Sequence, residues 1–457
     1  MYLSSKILTF AEDKIDKIRK KAAFLREKTI FLNKIDVLLL VSICLSLIFS
    51  TFLKNEQTSY FLTATGGLYV LYLLFSENLN LKVEKCNLFY LLYLAVAIFG
   101  TFTSTLQAQS LHGLMKTLMY FVFYIAVLQF AKDNPKKAKI PLYAAAASVC
   151  VQIAIAFIQT KIGVLSGATW QDSSIDPELA VTRVFGTLQP LNPNLLGGYF
   201  VATIPILWAL AAKFAVKRDF VKTGIFTVIS IFSITAVFMT GCRGAYIATF
   251  AAILIFAFAI CGFFKKFDER FFEKIKKFKK LIIGAIAAVC AGTLCLAPKI
   301  LNRILSIFTL RQDSSTSFRF NVYESSVQMF RDNFLIGIGP GNQTFREIYG
   351  LYMRSGFDAL STYCVFLEIA VESGIFALTF FVLFLYYFFN GTIRAMKKTG
   401  DPSTYLILTT GITSVAGVMI HGFTDTVFFR PQIQLVFWTC VATALAFAGK
   451  ELPDKIN

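Results

Sequence analysis

The chain is short of charge and almost empty of histidine. Only 16% of its 457 residues are Asp, Glu, Lys or Arg, whereas a soluble domain carries about a quarter. Two histidines cannot build a histidine-rich metal centre. The nine cysteines show no CxxC or CxxH spacing, which argues against zinc sites and disulfide scaffolds, although Cys242 and Cys364 fall near one face and leave a bridge open. Acidic residues are also scarce, 27 against 45 basic ones. What fills the chain is apolar: 56% hydrophobic residues, with 49 phenylalanines. A single globular core stops growing at roughly 250–300 residues, and none could hide so much apolar side chain. The composition therefore excludes a soluble enzyme, a secreted disulfide scaffold, a disordered protein and a coiled coil, and indicates an integral membrane protein.

A span needs about 20 mostly apolar residues, and lipid leaves the backbone no partner outside its own helix. Twelve runs qualify, centred on Val37–Leu53, Tyr60–Phe75, Leu88–Phe102, Leu118–Ala131, Ile140–Ile158, Leu195–Ala212, Ile225–Thr240, Ala245–Phe264, Leu281–Ala297, Val365–Phe389, Tyr405–Ile420 and Ile433–Ala448. The expected fold is an all-α polytopic bundle of about 12 spans with a large, partly helical extracytoplasmic loop. Its parts are a basic amphipathic segment (1–34), nine spans with an outer loop at 159–194 (35–298), the large loop (299–363), three last spans (364–448) and a tail (449–457).

Placing Lys and Arg along this pattern puts 32 of the 45 on one set of connections, the set that contains both termini. The positive-inside rule makes that side cytoplasmic. The net charge of +18 is thereby a topology signal, and no nucleic-acid partner is expected. Apolar residues at Ala11, Ile15, Ile18, Ala22 and Leu25, and at Phe264, Phe267, Phe271, Ile275 and Phe278, recur every three or four positions among basic residues. Each set predicts an amphipathic helix on an anionic lipid surface. The charged first 30 residues hold no apolar core of a signal peptide, so the first span is expected to act as an uncleaved signal.

Chemistry is expected on the opposite face, where two connections are long. Phe318–Arg331 has helical spacing, then come the turn-rich Gly337–Asn342 (GIGPGN) and a short helical run, Gln343–Tyr352. GIGPGN lacks the Lys and Ser/Thr of a P-loop. It reads first as a tight turn, with a backbone anion nest built on Gly339, Gly341 and Asn342 as the alternative. Arg243, in TGCRGAY, is held at the membrane surface by a very short connection, and its flanking glycines leave room for a ligand. Arg319 opens the loop helix. Two converging guanidiniums suit a diphosphate or small oxyanion. Glu368 and Glu372 lie one turn apart near the outer end of the tenth span, where carboxylates are costly and often functional. His421 and Asp425 (HGFTD) stand at the outer end of the eleventh, and His112 sits incidentally in a short loop.

VFGTLQPLNPNLLGGY (Val184–Tyr199), TGCRGAY, the run from Phe318 to Ile375 and HGFTDTVFFRP (His421–Pro431) together resemble the O-antigen ligase/polymerase superfamily. The resemblance covers about the last two-thirds of the chain and is nearest to the branch labelled bicarbonate transporters. It implies a bundle in the bacterial inner membrane that moves a glycan from a polyprenyl-diphosphate carrier to an acceptor hydroxyl, by inversion and without a metal or other cofactor. It also implies that Arg243 and Arg319 hold the diphosphate. The family's loop histidine is not present: Tyr363 takes its position, and with an ordinary pKa of about 10 against about 6.5 it is a poor base. Glu368 and Asp358 are then the candidate bases. Two classes remain open, a glycosyltransferase using lipid-linked glycan and a transporter or accessory for a small anion such as bicarbonate, with a non-catalytic relative as a third.

Overall fold

The computed structural model describes residues 23–76, 79, 84–163, 183–270, 272–273, 276–277, 314–354, 356 and 358–452. Among them no strand forms. Apart from a single turn at Ile30–Asn33 and a 3-10 turn at Val427–Phe429, the helices are α1 (Ile35–Phe49), α2 (Asn55–Phe75), α3 (Lys85–Thr103), α4 (Gln107–Asp133), α5 (Ile140–Ile162), α6 (Pro193–Val216) and α7 (Phe220–Met239), followed by α8 (Arg243–Phe267), α9 (Ser314–Asp332), α10 (Asn342–Tyr349), α11 (Val365–Lys398), α12 (Pro402–His421) and α13 (Pro431–Glu451). Ten of these, α2–α8 and α11–α13, are long and apolar enough to cross a membrane, and α1 is a shorter apolar helix. The chain is a multi-pass helical membrane protein. Eleven of the twelve expected spans correspond to described helices; Leu281–Ala297 lies outside the described residues, as do Ala11, Ile15, Ile18 and Ala22.

Local sequence explains where the helices begin. Pro141, Pro193, Pro402 and Pro431 stand in the first turns of α5, α6, α12 and α13, where a missing N–H costs nothing. Asn192 and Asp401 cap α6 and α12 by accepting backbone N–H groups. Burial then ranks the helices. Every residue of α13 from Pro431 to Gly449 is buried, Gln432, Gln434, Thr439 and Thr443 included, so this helix forms the centre of the bundle. α4, α11 and α12 pack around it. Small residues set the spacing, as lipid-phase association requires: a Cβ on Gly411 would stand 2.6 Å from Ala444 Cβ.

The expected amphipathic Phe run resolves differently. Phe264 is buried, and Phe263 and Phe267 lie 5.5 and 5.7 Å from the Tyr405 ring of α12. These residues continue the protein-facing stripe of α8 and so pack inward rather than onto lipid. Phe271, Ile275 and Phe278 lie outside the described residues.

α11 is two helices in series. Gly374 breaks it with φ 77° and ψ −178°, and a Cβ there would fall 2.2 Å from the Leu335 carbonyl oxygen. A break inside a span frees backbone groups that must find other partners. The stretch from Phe334 to Gly339 provides them. Ile338 N–H donates to the Val371 carbonyl at 3.0 Å, Gly339 N–H to the Glu372 carbonyl at 2.9 Å, and Ile375 N–H to the Phe334 carbonyl at 2.9 Å. Ser104 Oγ fixes the other side of this loop by donating to the Ile338 carbonyl at 2.6 Å. Above the break, Val322 and Met329 of α9 and Phe345 and Tyr349 of α10 form a small core with Ile338 and Val371. The described part of the long loop is thus docked on the first half of α11, and α10 also packs against α4, where Ser110 and Thr344 hydrogen-bond at 3.1 Å.

Candidate functional site

The HGFTD turn after α12 gathers the site. His421 ends α12 fully buried, and its Nε2 lies 3.4 Å from the Sγ of Cys242, the residue before α8. Gly244 sits against the same turn so closely that a Cβ would fall 2.1 Å from Thr424 Oγ1. Between Cys242 and Gly244 is Arg243, 9% exposed at the first position of α8. A cation at a helix N-terminus opposes the helix dipole. Arginine and dipole together therefore favour an anion at this spot.

Arg319 reaches the turn from α9. Its Nη2 stands 3.6 Å from Asp425 Oδ2, and its guanidinium lies 5.7 Å from the centre of the Tyr363 ring. Asp425 is buried and well supported: Asn194 Nδ2 donates to it at 2.8 Å and Val427 N–H at 3.2 Å. Asn194 in turn accepts from Arg183 Nη2, and Arg183 Nε donates to the Thr240 carbonyl at 2.9 Å. The segments bearing Arg243 and Arg319 are thus both docked on one turn. Among the described residues, Arg319 pairs with Asp425 directly, Arg183 is linked to it through Asn194, and Arg243 opens α8 beside the same turn, so three arginines gather around the HGFTD turn. The sequence marks Asn194 only as part of the VFGTLQPLNPNLLGGY motif and Arg183 not at all, because their roles depend on which connections meet.

Two thiols left open for a bridge are both free. Burial would push the Cys242 thiol up, but the hydrogen bond and charge of His421 bring it below its ordinary value. Tyr363 has left-handed backbone, φ 54°, uncommon for a bulky residue. Burial, reinforced by the charge of Asp425, pushes its hydroxyl up to about 12 despite the opposing charge of Arg319. Its ring is a platform for Arg319, with Phe318 edge-on at 5.8 Å.

The candidate carboxylates separate. Asp358 is exposed and paired with Arg346 at 3.0 Å. Glu368 is 1% exposed, and its Oε2 accepts the Thr362 N–H at 2.6 Å, one residue from Tyr363. Glu368 and Glu372 border a cavity of about 120 Å³ between α3, α4, α10, α11 and the start of α13. Gly341 and Asn342 border it too, and the Gly341 N–H donates to the Glu372 carboxylate. The backbone donors of Ile338, Gly339 and Gly341 are therefore engaged by α11, and GIGPGN acts as a turn that closes the helix break. His112 also borders this cavity, although its sequence context marks nothing.

A helical membrane bundle with a cationic turn at one end defines the class. Within it, residues 228–382 match the family model described as O-Antigen ligase, a stretch that includes Arg243, Arg319 and Glu368. No curated protein matches the chain.

Proposed function

We propose that the protein is an O-antigen ligase-like glycosyltransferase of the bacterial inner membrane, with both termini in the cytoplasm and the HGFTD turn on the outer face. The donor is a glycan on a polyprenyl-diphosphate carrier embedded in the lipid. The observation that carries this reading is the docking of the Arg243 and Arg319 segments on one turn, within or beside the stretch similar to O-antigen ligases.

The chemistry follows from charge. An acceptor hydroxyl attacks the anomeric carbon, the bond from that carbon to the diphosphate oxygen breaks, and configuration inverts. Arg243 and Arg319 stabilise the negative charge that builds on the departing diphosphate, an effect that is strongest where water is scarce. His421 and Asp425 hold the two arginine segments. The hydroxyl proton passes to a carboxylate, and Glu368 suits this better than Asp358, which is committed to Arg346 in solvent. Tyr363, with its hydroxyl held near 12, positions Arg319.

A second reading has one observation in its favour. Discontinuous spans are common in transporters, and α11 is broken at Gly374. On that reading the same arginines bind a small anion such as bicarbonate. Purified protein in proteoliposomes separates the two. Turnover of polyprenyl-diphosphate glycan that is abolished by Arg319→Ala supports the ligase; uptake of labelled bicarbonate without turnover overturns it. Absence of both leaves a non-catalytic relative.

A further inference from the structure

The cavity beside Glu368 and Glu372 is unlike the arginine turn in its chemistry. It descends from exposed His112 and Lys116 on α4 to a floor of buried Tyr90, Tyr93 and Gln434. The two glutamates stand one turn apart on the first half of α11, and among the described residues neither forms an ion pair. Each accepts one backbone N–H, from Thr362 and Gly341. That leaves acceptor capacity on both carboxylates.

Charge selects the class of ligand. An ammonium ion would meet Lys116 at the mouth and Arg430 within electrostatic reach of both Lys116 and Glu368. An anion would meet two carboxylates. Positive and negative groups are balanced, so a neutral ligand with many hydrogen-bonding groups suffers least. The remaining lining fits that description: Gln109, Asn342 and Gln343 offer both donors and acceptors, while Phe381 and Phe428 offer flat apolar faces. Hydroxyls around an apolar ring face are the hallmark of a pyranose. The volume, about 120 Å³ and open at the mouth, limits the occupant to a single ring.

We infer that this cavity is a second binding site, for one neutral sugar ring. Resting on the ligase reading, it receives the sugar that bears the attacking hydroxyl, with Glu368 as the wall it shares with the arginine turn. Tyr363 and Thr362 join the two: Tyr363 carries Arg319 on its ring, and Thr362 donates to Glu368. Donor diphosphate and acceptor ring would then approach Glu368 from opposite sides.

Saturation-transfer NMR on the full-length protein, in a detergent without a sugar headgroup, tests this with methyl glucoside and N-acetylglucosamine as probes. Methylammonium and acetate serve as charged counter-probes. The expected result is transfer to the ring protons of at least one sugar, with the apparent Kd raised roughly tenfold by Gln109→Ala and by Glu372→Gln. Arg319→Ala should leave it unchanged. No transfer from either sugar overturns the inference, as does a signal that both cavity variants leave intact. Loss of the signal in Arg319→Ala would put the sugar at the arginine turn instead, and preferential binding of methylammonium would make the cavity a cation site. Turnover of polyprenyl-diphosphate glycan, measured on the same preparation, decides the ligase reading separately: sugar binding without turnover leaves the cavity assignment standing while the ligase fails.

Discussion

Arg319 and Asp425 stand 3.6 Å apart, near enough to attract and too far for a tight bidentate pair. Asp425 already accepts from Asn194 and from the Val427 backbone, so Arg319 retains donors for a ligand. If those donors grip a departing diphosphate, Arg319→Lys keeps charge but loses the planar fork. We expect kcat to fall about 10²-fold for Arg319→Ala or more, by analogy with removing one preorganised donor, and less for Arg319→Lys. Steady-state turnover of polyprenyl-diphosphate glycan checks this, and unchanged kcat in Arg319→Ala would remove the arginine from the chemistry.

The contact between Gly244 and Thr424 predicts a rescue. A methyl at residue 244 would lie 2.1 Å from Thr424 Oγ1, forcing α8 away from the HGFTD turn. Gly244→Ala should destabilise by roughly 1–3 kcal/mol and misplace Arg243. The double variant Gly244→Ala/Thr424→Ala removes the clashing oxygen and should recover most of the loss. Thermal melting in detergent, read beside turnover, shows whether recovery occurs; no recovery would mean the clash lies elsewhere.

Much of the bundle is legible in the sequence because lipid imposes a length and a composition on each span. The break in α11 is not. VESGIF continues an apolar run, and a lone glycine within a helix is ordinary until partners for the freed carbonyls are found some 35 residues upstream, at Ile338 and Gly339. The site divides in the same way. Arg243 and Arg319 are visible through their local motifs, and Glu368 through the cost of a carboxylate in a span. Arg183, Asn194 and the Cys242–His421 contact depend on which connections meet in space, and no local pattern encodes that.

Gly374 provides the next prediction. Its left-handed φ and the 2.2 Å approach of a Cβ to the Leu335 carbonyl leave no room for alanine. Gly374→Ala should displace the 334–339 stretch and leave the Val371 and Glu372 carbonyls unpaired, each costing about 1–3 kcal/mol. Faster proteolysis between residues 333 and 342, with the rest of the bundle still helical by circular dichroism, is the expected signature. Unchanged protection would show that the loop does not depend on the break.

Tyr363 gives a pH test. Its hydroxyl is raised from about 10 to about 12, so the folded protein holds this proton more tightly than the unfolded chain. The associated stability is intact below pH 10 and is lost as pH rises through 12. Tyr363→Phe should therefore flatten the alkaline fall of the melting temperature. Because the ring beneath Arg319 persists, it should leave neutral-pH turnover within a few-fold, roughly the scale of one exposed cation–π contact. Tyr363→Ala, which removes the ring, should lower turnover more. A large loss at neutral pH in Tyr363→Phe would instead make the hydroxyl part of the reaction.

Glu368→Gln discriminates most sharply among the roles assigned to carboxylates. Glutamine is nearly isosteric, and its amide oxygen can still accept the Thr362 N–H, so the start of α11 should stay in place. What the amide cannot do is take a proton from an attacking hydroxyl. General-base catalysis contributes typically 10²–10⁴-fold, and kcat should fall on that order while the KM for the lipid-linked donor, set by the arginines, changes little. Asp358→Asn, which breaks only the exposed pair with Arg346, should leave kcat close to its original value. If the two variants exchanged these behaviours, the proton would leave through solvent-facing Asp358, and Glu368 would be reduced to holding Thr362.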